Sequence, residues 1–474
     1  MQPEPQLPDP LRLLHERPEE CARWTLTTPQ RITLIALVVA LVAAVAWKPL
    51  PTIVVLNAAA IVFYIVHIAW KSRLVYLSLE RAACVPVSRE EIEELNEDLL
   101  PTYTVLVPLY REARVLPEVV ASLSAMDYPD DKYRVVLLLE EDDAETQAAA
   151  SAMNLPANFS ALVVPDSEPK TKPKACNYAL ETAESDYLVV YDAEDRPEPD
   201  QLKMAVAAFR KLPRRVACLQ AKLNYYNPRQ NLLTRLFTAE YASWFDLTLP
   251  GLTAVGGPIP LGGTSNHFKT PALRRAGGWD PFNVTEDADL GLRLHKDGLR
   301  TAMIDSTTWE EANGRPMSWI RQRSRWVKGY IQTYLVHMRS PLGLMRSIGL
   351  GGFFNFQMMV GGSVVCFLLN PVYWLMTLAW MVFHPAAIEA IFAPLWVYEA
   401  GIVCLFVGNF FFVYLSAAAC GNRRDWDLVS ACLLMPLYWL MMSVAAYKAL
   451  AQLIVRPFYW EKTEHGFFEP GTTE

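Results

Sequence analysis

The residues of this chain best suited to chemistry fall in three short clusters: Asp192-Ala193-Glu194-Asp195, Thr285-Glu286-Asp287 and Gln322-Arg323-Ser324-Arg325-Trp326. In the first, carboxylates follow an apolar strand pattern, Tyr187 to Tyr191. Asp192, Glu194 and Asp195 are candidate ligands for one Mg2+ or Mn2+, hard cations that favour oxygen. A cation held there would neutralise a diphosphate as it departs. The same residues, followed by Arg196-Pro197-Glu198-Pro199-Asp200, also read as ordinary turn material. In the second cluster Asp287, with Glu286 beside it, offers a carboxylate for proton abstraction. The competing view is a helix start, with Thr285 as N-cap, acids in the first turn and Gly298 closing the run from Ala288 to Asp297. In the third, Gln322, Arg325 and Trp326 share a helix face by their spacing. A cation for phosphate and an aromatic platform for a sugar could act together there, although a helix that only anchors the domain to lipid has the same composition. Lys170, Lys172 and Lys174 lead into a helix pattern from Ala175, where a lysine-rich turn attracts diphosphate or is merely solvated.

These residues need a scaffold, and the middle of the chain supplies one. From Thr102 to Arg315 short apolar runs alternate with helical stretches. Thr104–Pro108, Tyr133–Leu139, Tyr187–Tyr191 and Arg215–Gln220 read as strands, with helices over Leu116–Ala125, Ala175–Ala183 and Pro199–Lys211. The alternation predicts an α/β domain with a mainly parallel sheet. Ligands bind beyond the carboxyl ends of such strands. Tyr110 to Glu112, Glu140 to Asp143 and Asp192 to Asp195 all follow strands as that rule requires.

The flanks differ. Of 474 residues, 52 % are hydrophobic and 20 % charged, and the apolar ones concentrate outside the middle. Ile32–Trp47 and Ile53–Trp70, separated only by Lys48-Pro49-Leu50-Pro51-Thr52, predict a transmembrane hairpin over 31–71. Arg31 before it and Lys71, Arg73 and Arg81 after it place both ends in the cytoplasm. Two further spans are expected within 362–420, Gly362–Phe383 and Leu395–Ala419, after interfacial helices over 317–361. Leu428–Val455 carries Pro436, Lys448 and Gln452 and is read as an interfacial helix, with a fifth or sixth span as the alternative. Residues 1–30 are Pro- and Glu-rich and are read as a cytoplasmic extension. The net charge of −7 argues against nucleic acid as partner, and the eight cysteines form neither a CxxC pair nor a disulfide framework.

In their order, Pro108-Leu109-Tyr110-Arg111-Glu112, Lys172-Pro173-Lys174-Ala175-Cys176-Asn177, Asp192-Ala193-Glu194, Thr285-Glu286-Asp287 and Gln322-Arg323-Ser324-Arg325-Trp326 resemble the landmarks of membrane-embedded, processive family 2 glycosyltransferases, such as bacterial cellulose, curdlan and hyaluronan synthases. The resemblance runs from about Thr102 to Gly466. It implies a GT-A domain over 72–316 set between transmembrane helices, a UDP-sugar donor, a glycan acceptor, a divalent cation and inverting transfer without a covalent intermediate. Tyr110, Glu112, Glu140, Lys172, Asp192 and Arg325 would surround the donor, and Asp287 would be the general base. Gln322, Trp326, Gly263, Thr264 and Asn266 would meet the acceptor. Trp460, Lys462, Thr463 and His465, within 421–474, resemble a gating loop. The resemblance further implies an inner-membrane, multi-pass protein with its catalytic domain in the cytoplasm. A polymer channel lined by Trp374, Trp380 and Tyr414 and a periplasmic or outer-membrane export partner would follow. Two positions depart from the pattern: Glu194 stands where Asp is usual, with Asp195 next to it, and Glu140 replaces the usual Asp. A non-processive transferase adding one sugar to a lipid or short glycan, or an envelope receptor or scaffold with a transferase-like domain, are the rival readings.

Overall fold

The computed structural model describes residues 8–80 and 84–456. Nine strands form one mixed sheet: β1 (Cys84–Val85), β2 (Tyr103–Leu109), β3 (Tyr133–Glu140), β4 (Phe159–Val164), β5 (Tyr187–Val190), β6 (Arg196–Pro197), β7 (Val216–Tyr225), β8 (Asn266–Lys269) and β9 (Arg300–Glu310). Their order is β1-β9-β7-β8-β5-β2-β3-β4, with β6 against β9. The central strands β5, β2, β3 and β4 pair in parallel. Covered on both faces, they read as near-continuous apolar runs, and Val105, Val107, Val135, Leu137 and Val189 are wholly buried.

β2 pairs with β3 on one side and with β5 on the other, so the chain order switches between them. A crevice forms beyond the carboxyl ends at such a point. β8 is a four-residue wedge, antiparallel to both β5 and β7. It delivers the turn before it to the crevice: the Ser265 N–H donates to Val190 O at 2.9 Å, with Ser265 at φ +58°. The sequence pattern missed β1, β4, β6, β8 and β9. β8 is too short and too polar (Asn-His-Phe-Lys) to show a strand period.

Five helical stretches are long and apolar enough to cross a membrane among the described residues: α1 (Thr28–Trp47), α2 (Pro49–Glu80), α6 (Pro341–Phe383), α7 (Leu395–Asn422) and α8 (Trp426–Val455). α6 begins well before the expected start at Gly362 and contains a non-helical Gly349 at φ +74°. α8 matches the others in length and apolarity, and it packs against α6 and against α5 (Pro316–His337). Two helices of the sheet domain matter for the site, α3 (Lys172–Thr182) and α4 (Glu286–Lys296).

Residues 8–27, which precede α1, pack onto the sheet domain. Leu13, Cys21 and Ala22 are wholly buried against it. The last turn of this segment passes into α1 through a capping box between Thr27 and Gln30, and Gln30 also donates to Leu335 O of α5 at 2.7 Å.

Candidate active site

A cavity of about 400 Å³ opens at the crevice and runs to the long apolar helices. Tyr110, Glu112, Glu140, Lys172, Asp192 and Glu194 line it at the strand ends. Gly263, Thr264, Glu286, Asp287, Gln322, Arg325 and Trp326 line its middle, and Tyr330, Ser363, Phe367 and Met442 its far end. All three clusters of the sequence therefore meet in one place.

At the strand ends, Lys172 Nζ lies 2.5 Å from Asp192 Oδ1 and donates to Gly263 O at 2.6 Å. Burial works against its charge, but Asp192, Asp287 and Glu286 more than offset that and raise its pKa. The lysine thus stitches the β5 turn to the acceptor-side turn. Glu194 faces the cavity. Asp195 does not: it is buried beneath the turn, where its Oδ2 accepts from the Asp192 N–H and from Thr264 Oγ1. It fastens the turn, so the cavity presents Asp192 and Glu194 rather than Asp195. Asn266 does not line the cavity either. Its side chain donates to Gly262 O and Thr264 O and shapes the turn.

Glu140 reaches the cavity, but Lys174 claims it at 3.0 Å. That lysine is 1 % exposed and donates also to Pro165 O and Ser167 O. Lys172 and Lys174, two residues apart on the first turn of α3, thus serve different carboxylates. Lys174→Met is expected to destabilise the protein by about 3–5 kcal/mol, because it strands a buried carboxylate. A Lys174→Met/Glu140→Met double variant is expected to recover most of that in a thermal-unfolding measurement.

Asp287 opens α4 and is 7 % exposed. The Trp279 indole N–H donates to its Oδ1 at 3.1 Å. The other oxygen, Oδ2, lies toward the acceptor-side turn, 3.8 Å from where a Cβ on Gly263 would sit. Burial, then Glu286, push the Asp287 carboxyl well above the usual aspartate range; Lys172 opposes them and Asp192 adds to them. A buried carboxylate of raised basicity, with one oxygen anchored and one free to face a hydroxyl, is suited to take a proton. Thr285 does occupy the N-cap position but makes no side-chain cap; its hydroxyl packs against Gly329 of α5.

On α5 the spacing holds, since Gln322, Arg325 and Trp326 all face the cavity. Gln322 Oε1 is buried with no hydrogen-bond partner among the described residues. A hydroxyl donor arriving in the cavity would satisfy it. Trp326 is fixed by Arg323, whose guanidinium carbon lies 4.4 Å from the ring centroid, and by Tyr241, stacked at 6.3 Å. Arg323 is itself held by Glu240 and by Tyr438 of α8.

Residues 457–474 lie outside the described residues, and with them Trp460, Lys462, Thr463 and His465. The sequence reading missed Trp279, Glu310 and the far-end wall. Glu310 closes β9 near Asp192, Glu194 and Asp195, and burial and those carboxylates raise its pKa. The Gly277-Gly278 pair before Trp279 was the available signal for the first of these. The far-end wall comes from helices that looked like membrane spans and nothing more.

Residues 101–329 match the profile of the family described as glycosyltransferase like family 2. They form a family 2 glycosyltransferase domain. The matched region contains every described site residue from Tyr110 to Trp326. The chain is 24 % identical over 257 residues to a probable glycosyltransferase, YdaM, of Bacillus subtilis, covering 54 % of this chain and 59 % of that one. It is 27 % identical over 242 residues to a beta-monoglucosyldiacylglycerol synthase of Trichormus variabilis, covering 50 % of each. The chain thus spans between half and three fifths of the length of these relatives. Among solved structures, the mannosyltransferase PcManGT of Pyrobaculum calidifontis, in complex with GDP-Man and Mn2+, superposes with a TM-score of 0.50 at 19 % identity, over 85 % of this chain and 99 % of that one. That likeness shows the fold of the domain, a mixed α/β, GT-A-like fold accompanied here by long apolar helices.

Proposed function

We propose that the transferase domain moves a hexosyl group from a nucleoside-diphosphate sugar, in the first instance a UDP-sugar, to a growing glycan at a membrane surface. The observation that carries this is that Asp192, Glu194, Asp287, Gln322, Arg325 and Trp326 line one cavity reaching from the strand ends to the apolar helices. The donor's diphosphate lies by Lys172 and Arg325, and its sugar points toward Asp287. An acceptor hydroxyl gives its proton to Asp287 Oδ2 while its oxygen attacks the anomeric carbon. The diphosphate departs from the opposite face, so the configuration inverts. Trp326 offers a face on which the acceptor sugar stacks, and Gln322 Oε1 accepts from one of its hydroxyls.

A divalent cation fits this site by its donor set. No group of three or more His, Cys, Asp or Glu that could hold a metal occurs among the described residues. Asp192 and Glu194, however, are two carboxylates facing one cavity, and Mg2+ is commonly held by one or two carboxylates together with substrate phosphates. When bound, the cation would supply charge neutralisation of the leaving diphosphate. Chelation with EDTA is therefore expected to abolish nucleotide release and Mn2+ or Mg2+ to restore it, and Asp192→Ala is expected to raise the metal concentration needed for half-maximal rate.

A second reading, a single sugar added to a lipid, is favoured by the far end of the cavity, where Tyr330, Phe367 and Met442 offer an apolar slot. The synthase from Trichormus variabilis supports it equally. The deciding experiment supplies labelled UDP- and GDP-hexoses to purified protein in lipid. Labelled product that stays in the aqueous phase and grows in size supports glycan extension. Label that extracts into organic solvent as one species supports lipid glycosylation. Absence of any transfer in the presence of cation and membrane extract would sink both. In either case the apolar helices would hold the domain at the cytoplasmic face of the inner membrane.

A further inference from the structure

The base has a support that reaches back to the first residues of the described chain. Trp279, 2 % exposed, hydrogen-bonds Asp287 and sits in the turn Ala276-Gly277-Gly278-Trp279-Asp280, with Gly277 at φ +79° and Gly278 at φ +67°. Only glycine takes two such successive angles without strain. Three elements grip this turn. From α3, Asn177 Oδ1 accepts from the Trp279 N–H at 2.9 Å and its Nδ2 donates to Trp279 O at 2.8 Å. From α4, the wholly buried Arg293 donates to Ala276 O and Gly278 O, and Asp289 holds the guanidinium at 2.6 Å.

The third grip is the segment before the first membrane helix. Asp280, also wholly buried, accepts the Ala22 N–H at 2.6 Å and the Cys21 thiol at 3.2 Å. Asn177 Nδ2 donates further to Pro10 O at 3.0 Å, and Leu13 packs on Gly277. Arg17 pairs with Asp297 at 2.9 Å and Glu20 with Lys296, both at the C-terminal end of α4, while Arg339 donates to Glu19 O at 2.6 Å. A loose linker would not bury Leu13, Cys21 and Ala22 completely or spend four ion-paired or charge-assisted contacts on docking.

We propose that residues 8–26 are a strap that locks the Ala276–Asp280 turn, and that Trp279, a positioning residue, thereby fixes which oxygen of Asp287 meets the acceptor. The assignment rests on Asp287 being the base. An anchored Oδ1 leaves Oδ2 aimed past Gly263, whereas an unanchored carboxylate samples orientations in which neither lone pair faces the hydroxyl. The strap joins α1 directly, so the first membrane helix and the base are mechanically linked.

Two substitutions in the full-length protein in lipid test this, read against Asp287→Asn. Trp279→Phe keeps the ring and removes the N–H. It is expected to lower kcat about 10- to 100-fold, the worth of a hydrogen bond to a charged group, with donor KM unchanged, and Trp279→His is expected to recover part of the loss. Leu13→Asp is expected to undock the strap, lower kcat in the same way and speed hydrogen–deuterium exchange over residues 276–287. Leu13→Ala replaces it if the aspartate variant does not fold. Rates use whichever UDP- or GDP-hexose the native protein turns over, and the exchange measurement needs no donor. Native kcat in Trp279→Phe, or native exchange over 276–287 with the strap substituted, overturns the proposal even if Asp287→Asn is inactive. A fully active Asp287→Asn removes the base assignment itself, and the positioning role with it.

Discussion

Replacing Asp287 with Asn is expected to lower kcat by about 10²- to 10⁴-fold, the range a positioned general base contributes, while nucleotide-sugar binding survives. Asn is nearly isosteric, and its amide can still meet the Trp279 indole or the Gly263 turn, so the cavity keeps its shape. What disappears is the proton acceptor. The pH dependence of the native protein carries the same assignment. Burial and then Glu286 hold the Asp287 carboxyl well above the usual range, against the opposing pull of Lys172. Only the deprotonated form accepts a proton. The rate is therefore expected to rise with pH through a limb lying above about pH 4, the ordinary aspartate value. Asp287→Glu is expected to retain more activity than Asp287→Asn but less than the native protein, because the longer side chain misplaces the oxygen that Trp279 anchors. Initial rates of nucleotide release, with donor binding followed separately by titration, check each of these. An Asp287→Asn protein that binds donor and releases nucleotide at the native rate would falsify the role.

Much of this site was legible because its chemistry sits where the chain changes element. Asp192 follows β5, Tyr110 follows β2, and Asp287 opens α4, so strand and helix patterns alone placed the carboxylates near one another. The i, i+3, i+4 spacing of Gln322, Arg325 and Trp326 was similarly sufficient to give them one face. Local pattern does not say which of several neighbouring acids turns inward. Asp195 looked as good a ligand as Glu194, and only the turn, with Thr264 and the Asp192 N–H converging on one carboxylate, shows it facing away from the cavity. Glu140 and Lys174 are 34 positions apart, and no periodicity pairs them. The strap is the extreme case. Its residues look like a charged, proline-rich leader, and its meaning lies in contacts with Asp280, Asn177 and Asp297, more than 150 positions away. Separations of that size are fixed by the closed fold and leave no trace in local spacing.

Arg325→Ala is expected to produce the second large loss, about 10²- to 10³-fold in kcat, on the scale of removing one preorganised donor from developing charge. Arg325 faces the cavity beside Glu286, Asp192 and Glu194. Burial lowers its basicity and these three carboxylates offset that only in part, so on the proposed reading a guanidinium stands ready where the diphosphate would gather negative charge. The planar guanidinium can meet two phosphate oxygens at once, and a lysine at this position cannot. Arg325→Lys is accordingly expected to restore charge without the fork, recovering donor affinity more than kcat. Neighbouring Arg323 makes the contrast. It is committed to Glu240 and Tyr438 and to the face of Trp326, so Arg323→Ala is expected to loosen the aromatic platform and raise the acceptor KM more than it lowers kcat. Measuring kcat and the two KM values separately for the three variants distinguishes the roles. If Arg325→Ala altered only the acceptor KM, the leaving diphosphate would have to lie elsewhere in the cavity, against Lys172 alone.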